Sequence, residues 1–345
     1  MDRLPRYFRI RKGKSTARYI QAKMIYFLRG KAEISETDID ILWKMHEEGL
    51  FRQGQLTNSN PKYMKSRKSA DVKVSLLDVK HELARRMFMD CTFCEHLCHV
   101  DRTKTLGWCK VGTPYLSSEF IHMGEETELI PSHTFFFSGC TLKCVFCQNW
   151  DISQNPEAGI SLSSDDFIKR IEKNSNRSVN VNWVGGDPTP NIPFILEVLS
   201  KANMNIAQVW NSNMYLSDAS MRLLEGVVDV YLTDFKYGNN DCGQRLSKID
   251  HYWDMVKRNH MDAGKRGELI VRHLVMPGHA ECCSEPILHF LGENLDKGRL
   301  RLNVMGQYRP EYKAGEYKEI SRRPTIEEIN LTKELATELG LPLCD

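Results

Sequence analysis

From about residue 130 onward, short apolar runs rich in β-branched residues alternate with stretches of helical periodicity, and this alternation constrains the fold more than any other feature of the chain. Runs near His133–Ser138, Asn180–Gly185, Ala207–Asn211, Val228–Asp234, Glu268–Val275 and Leu300–Val304 predict strands. Between them, Ser163–Lys173, Ile192–Ala202, Ser217–Glu225, Gln244–Asn259 and Glu285–Glu293 predict helices. Strands this apolar are buried on both faces, and βα repeats join parallel neighbours. The expected architecture is therefore an α/β domain around a parallel sheet.

The first 90 residues follow another pattern. Residues 1–50 predict two amphipathic helices, the second opened by Ser35 with Asp38 three residues on, in the manner of a capping box. Residues 53–75 are polar and rich in breakers and predict a loop; a helix over Leu76–Met89 then leads into Cys91. Residues 1–33 carry a local charge of +8, which leaves −6 on the rest of a chain of net charge +2. A basic arm of this kind binds nucleic acid or an acidic protein face, or forms a solvated helix. Ile20, Met24, Phe27 and Leu28 recur at helical spacing and no nucleic-acid motif accompanies the charge, so the solvated helix is the favoured reading. No apolar run approaches the ~20 residues of a membrane span, and the N-terminus lacks the apolar core of a secretory signal, so a cytoplasmic protein is expected.

Seven of the eleven cysteines fall into two compact sets, which points to metal rather than disulfides. Cys242, Cys282, Cys283 and Cys344 are scattered and read as reduced thiols. The first strand runs into Cys140, Cys144 and Cys147, spaced Cys-x₃-Cys-x₂-Cys. Three thiolates can hold three irons of a [4Fe–4S] cluster and leave the fourth to a distant ligand or a substrate. Zinc is the bland alternative, but it usually takes four ligands in paired short spacings.

Cys140-Thr-Leu-Lys-Cys144-Val-Phe-Cys147-Gln-Asn resembles the cluster loop of the radical S-adenosylmethionine (SAM) superfamily, including the aromatic Phe146. The resemblance implies a partial (βα)₆ barrel of TIM type, with its chemistry at the C-terminal ends of the strands. It implies a cluster whose open iron chelates SAM, passes one electron to the sulfonium and releases a 5′-deoxyadenosyl radical that takes hydrogen from a substrate. It also implies an oxygen-sensitive, anaerobic chemistry fed by reduced ferredoxin or flavodoxin. Asn149 stands where activating enzymes of the family place an Asn on SAM. Gly185-Gly186-Asp187 matches a Gly-Gly-Glu segment that supports the SAM amino group, with Asp in place of Glu. Asn211 ends the third strand, where the family often places polar groups that reach SAM. Asp234-Phe235-Lys236 resembles the Asp-x-Lys signature of enzymes of the pyruvate formate-lyase-activating type, and strand periodicity puts Asp234 and Lys236 on one face. Arg272 resembles an Arg that faces the SAM carboxylate. Gln307, Tyr308 and His273 are candidate substrate contacts at the barrel mouth.

The second set, Cys91-x₂-Cys94-x₃-Cys98-x₁₀-Cys109, offers a complete four-thiolate shell for an auxiliary [4Fe–4S] cluster or a structural zinc, with His96 and His99 as spare ligands. The expected layout is a helical basic region over 1–90, a Cys₄ segment over 91–128, the barrel over 129–310 and a helical extension over 311–345. The resemblance implies a radical enzyme acting on a protein or peptide, as glycyl-radical activases do. The same chemistry on a small molecule or another protein modification is the alternative, and a non-catalytic metal- or RNA-binding protein is less favoured.

Overall fold

The computed structural model describes residues 3–28, 30–56 and 73–344. The main sheet contains β1 (Tyr115–His122), β2 (Ser132–Phe137), β3 (Asn180–Gly185), β4 (Ala207–Ser212), β5 (Val230–Asp234), β6 (Glu268–Leu274) and β7 (Leu300–Met305). Its order is β7-β6-β5-β4-β3-β2-β1, completed beyond β1 by the two-residue strand Ile160–Ser161. From β2 to β7 each strand pairs in parallel with the next one in the chain. Helices Ser164–Asn174, Ile192–Lys201, Asp218–Leu224, Tyr252–Arg266 and Glu285–Asn294 fill the connections. This is the partial (βα)₆ barrel, with β1 added antiparallel to β2.

Local chemistry explains these elements. Ser163 and Ser217 sit before their helices in extended backbone and accept the amide N–H of the third helical residue, as capping side chains do. Under the sheet, Trp183 packs on Phe135 at 5.5 Å and Phe137 at 6.2 Å between ring centroids, and its indole N–H donates to Gln208 Oε1 at 2.8 Å. Fully burying a side chain of this size contributes about 2–3 kcal/mol.

The N-terminal segment closes the barrel end opposite the strand C-termini. In helix Pro5–Arg11 the backbone N–H groups of Arg6 and Tyr7 donate to the two carboxylate oxygens of Glu268, the first residue of β6, at 2.7 and 2.8 Å. The Tyr7 hydroxyl accepts from Asn180 at the start of β3, and the Arg18 N–H donates to Asp229 just before β5. Tyr7, Ala17, Tyr19 and Ile20 are buried. The basic arm is thus a plug under the strands rather than a solvated helix, and its carboxylate partners come from the barrel floor. Arg6 also pairs with Asp229 at 3.7 Å.

Other expectations are corrected. The segment Gln244–Asn259 is two helices, Asn240–Ser247 and Tyr252–Arg266, broken where Lys248 and His251 adopt left-handed φ of 58° and 51°. Helix Ile39–Gly54 is capped by Asp38, which accepts from the Asp40 N–H at 2.8 Å, and Ser35 instead ends the preceding turn of helix. Phe27 and Leu28 lie past the end of helix Arg18–Met24 and do not extend its apolar stripe. Most of the expected loop, residues 57–72, lies outside the described residues. At the far edge of the sheet the chain's last residues run along β7: the Leu302 N–H donates to Pro342 O and the Cys344 N–H to Leu302 O.

Candidate active site

A cavity of about 590 Å³ opens at the C-terminal end of the barrel, a size typical of small-molecule sites. Every parallel strand contributes to it: Phe136 from β2, Val184 from β3, Asn211 from β4, Asp234 from β5, Arg272 from β6 and Asn303 from β7.

The loop after β2 places Cys140, Cys144 and Cys147 in this cavity as free thiols, the first two buried and the third half-buried. Each has a polar neighbour suited to a thiolate. The Leu142 N–H lies 3.3 Å and Asn213 Nδ2 3.6 Å from Cys140 Sγ. The Ser247 hydroxyl is 2.9 Å from Cys144 Sγ, and the Ser153 hydroxyl is 3.2 Å from Cys147 Sγ. Burial raises the Cys140 thiol well above its ordinary range. It pushes Cys144 up to about 11, against the opposing pull of Lys236 and Ser247. A positive ion is what would turn these buried thiols into thiolates. Phe146 is buried at the cavity edge against Tyr237 and Tyr308. Asn149 is exposed at the cavity, and its side chain does not cap the short helix Trp150–Ser153 that follows.

Gly185 and Gly186 line the cavity, yet their lack of a side chain serves the backbone behind them. A Cβ on Gly185, whose φ is +142°, would meet Phe137 O at 2.0 Å, and one on Gly186 would meet Gly139 O at 2.1 Å. The glycines let β3 press against the root of the cysteine loop. Asp187 is buried and points across to β4: one oxygen accepts from the Thr189 N–H, the other from the Ser212 hydroxyl and the Asn213 N–H, each at 2.9 Å. Its carboxylate orders the end of β4 and, through Asn213, the surroundings of Cys140.

Asp234 and Lys236 line the cavity as an ion pair, while Phe235 turns away and stacks on His260 at 4.4 Å. Burial would lower the Lys236 ammonium, but Asp234 and Cys144 together raise it above its ordinary value. Arg272 also faces the cavity, and its guanidinium is held by two glutamates the sequence reading did not single out. Nε and Nη2 donate to the two oxygens of Glu126, both at 2.7 Å, and Nη2 also donates to Glu125. Asn303 donates to Glu126 at 2.9 Å and Asn182 to Glu125 at 3.0 Å. Burial would raise the Glu126 carboxyl, but the hydrogen bonds and charge of Arg272 hold it below its ordinary value.

Two residues expected at the substrate do not reach it. His273 follows Arg272 on β6 and so points to the opposite face of the sheet, where its ring nitrogens meet Phe235 O at 2.9 Å and the Ser284 hydroxyl at 2.8 Å. Tyr308 is buried, its hydroxyl donating to Ile320 O. Gln307 does line the cavity, as does Cys344 from the strand-like tail.

Cys91, Cys94 and Cys109 are buried and Cys98 half-buried, all four free. The His96 ring nitrogen lies 2.8 Å from Thr141 O and the Trp108 indole N–H donates to the same carbonyl at 3.1 Å, with the two rings stacked at 4.6 Å. His99 contacts Asp90. One ring nitrogen of each histidine is thus taken up by a protein oxygen. Through its own, His96 docks the four-cysteine segment onto the residue after Cys140.

Residues 134–291 match the model of the radical SAM superfamily. The chain belongs to the radical SAM superfamily. Over 99% of both chains it is 47% identical to the uncharacterized protein MJ0674 of Methanocaldococcus jannaschii. It is 22% identical to the pyruvate formate-lyase 1-activating enzyme of Escherichia coli K12 over 46% of this chain and 65% of that one. The crystal structure of Streptococcus suis SuiB bound to precursor peptide SuiA matches with a TM-score of 0.44 at 15% identity, covering 59% of this chain and about half, 46%, of that one. Radical SAM membership implies a [4Fe–4S] cluster and SAM. The three cavity thiols, each with a donor beside its sulfur, fit a thiolate-held cluster. Among the described residues no helix is long and apolar enough to cross a membrane.

Proposed function

We propose that this radical SAM enzyme cleaves SAM reductively and takes a hydrogen atom from a protein or peptide. The observation that carries the reading is the one cavity in which Cys140, Cys144 and Cys147 meet the C-terminal ends of all six parallel strands. Cys140, Cys144 and Cys147 would hold the cluster. When bound, the cluster and SAM supply one-electron cleavage of the sulfonium and a carbon radical strong enough to break a C–H bond. Lys236, kept charged beside Asp234, and Asn149 and Asn211, with side-chain amides at the cavity, would orient the charged end of SAM. A macromolecular substrate is supported by the similarity to an activating enzyme and by an aromatic surface near the cavity mouth, where Trp150, just after Asn149, stacks on Tyr312 at 5.5 Å.

Cys91, Cys94, Cys98 and Cys109 would hold an auxiliary [4Fe–4S] cluster, in line with a reading that extends beyond zinc. A zinc tetrahedron brings sulfurs to about 3.8 Å. The three metal-capable side chains that come within 4.8 Å of one another among the described residues lie elsewhere.

The test is anaerobic reconstitution, reduction with dithionite, addition of SAM, and measurement of 5′-deoxyadenosine with iron and zinc per chain. Product formation that is abolished in Cys144→Ala supports the reading, and turnover retained in that variant refutes it. Cys94→Ser is expected to lower iron by about four per chain; loss of zinc with iron unchanged would reverse the auxiliary assignment.

A further inference from the structure

Three side chains from two separate connections converge on the outer rim of the barrel. Cys242 lies in the first turn of helix Asn240–Ser247, after β5, while His279 and Cys282 follow β6. Because β5 and β6 are paired, these connections run side by side. The ligand atoms of Cys242, His279 and Cys282 all lie within 4.8 Å of one another, and no other three such groups do so among the described residues. Cys283 Sγ is 3.8 Å from Cys282 Sγ. Cys242 and His279 are buried and Cys282 is exposed, so the cluster has an opening to solvent on one side.

The surroundings are arranged as the outer shell of a metal site is. His279 Nδ1 lies 2.9 Å from Pro277 O, which fixes the tautomer in which Nδ1–H donates and Nε2 keeps its lone pair, at present approached by Arg245 Nη2 at 3.5 Å, a contact the ion would displace. One side chain, Asn239, braces both ligand segments: its oxygen accepts from the Cys242 N–H and its amide donates to Cys282 O, both at 2.7 Å. Gly238 brings the two backbones together, since a Cβ there would lie 2.8 Å from Cys282 O. The cysteine pair itself sits in a single wide turn closed by Ser284 N–H to His279 O at 3.2 Å, a π-type turn of the kind frequent at functional sites.

We propose that Cys242, His279 and Cys282 bind one zinc ion, with the fourth position taken by water or by Cys283. Two thiolates and an imidazole select a borderline-soft divalent ion over magnesium or calcium, which take oxygen ligands. Tetrahedral zinc needs sulfurs about 3.8 Å apart and bonds of about 2.3 Å to sulfur and 2.0 Å to nitrogen, within reach of this spacing. The ion ties the connection after β5, which follows Asp234 and carries Lys236, to the connection after β6, and so stiffens one side of the cavity rim.

The test uses the full chain, reconstituted anaerobically with iron and sulfide, given one equivalent of zinc and desalted. Zinc and iron are counted and the zinc-edge X-ray absorption spectrum is recorded. The expected result is about one retained zinc with two or three sulfur neighbours and one nitrogen. Cys282→Ser, an exposed position whose change leaves the packing intact, and Cys242→Ser each weaken zinc binding at least about tenfold with iron unchanged. The proposal is overturned if wild type retains no zinc, if its shell is all sulfur, if both variants retain it fully, or if Cys94→Ser loses it instead. Recovery of Cys242 in a disulfide from the anaerobic protein also overturns it.

Discussion

Replacing Arg272 separates two roles that the sequence alone runs together. The resemblance gives Arg272 to the SAM carboxylate; the structure gives its guanidinium to Glu125 and Glu126. Both glutamates are almost fully buried, with side-chain exposures of 3% and 1%. Arg272→Ala leaves Glu126 with Asn303, and Glu125 with Asn182 and His122, as remaining partners. Breaking a buried pair and stranding its partner costs about 3–5 kcal/mol. Unfolding entropy of about 2.1 cal/mol/K per residue gives about 0.7 kcal/mol/K for the 345-residue chain, so Tm should fall by about 4–7 °C. Scanning calorimetry of the SAM-free, anaerobic protein measures this directly, with SAM affinity measured in parallel. Arg272→Lys keeps the charge but loses the two-pronged geometry and should fall between the two. A Tm within about 1 °C of wild type in Arg272→Ala, with SAM binding weakened, would refute a structural role for the pair.

Three further outcomes follow from the same contacts. Because the Glu126 carboxyl is held below its ordinary value, its stabilising contribution is present above the unfolded value near 4.3 and is lost as pH falls through the lower folded value. Wild type should therefore lose Tm more steeply on acidification than Glu126→Gln, and parallel curves would count against the assignment. Ser247→Ala removes a hydroxyl lying 2.9 Å from Cys144 Sγ and 2.6 Å from the Tyr237 hydroxyl, so the midpoint potential of the cluster should move to more negative values in an EPR-monitored titration; an unmoved midpoint would sink the idea. Glu268→Ala strands two backbone N–H groups of the N-terminal plug at about 1–3 kcal/mol, and faster trypsin cleavage between Arg3 and Arg18 should report its release. Cleavage at the wild-type rate would show that Glu268 does not hold it.

The parallel strands were legible because buried β-branched runs admit few other readings, and the cysteine loop because metal chemistry leaves a rigid spacing. β1 was missed because only Leu116 among its residues is buried and because it pairs antiparallel, outside the βα rhythm. The break after Ser247 was hidden because Lys248 and His251 take left-handed backbone without glycine. Glu125 and Glu126 went unread, since nothing local announces that Arg272, 146 residues from Glu126, will bury beside them. His273 was expected beside Arg272 although neighbours on one strand cannot share a face. Cys242 and Cys282 looked scattered because only the pairing of β5 with β6 brings them together.

The plug beneath the barrel also sets a schedule for synthesis. The backbone of Arg6 waits for Glu268, 262 residues later in the chain. At roughly 5–20 residues per second, a nascent chain carries the Arg6 and Tyr7 backbone N–H groups without the Glu268 carboxylate for about 13–50 s. Meanwhile the cysteines at 91–109 and 140–147 have already emerged from the ribosome. The metal loading proposed for these positions can therefore precede closure of the barrel floor.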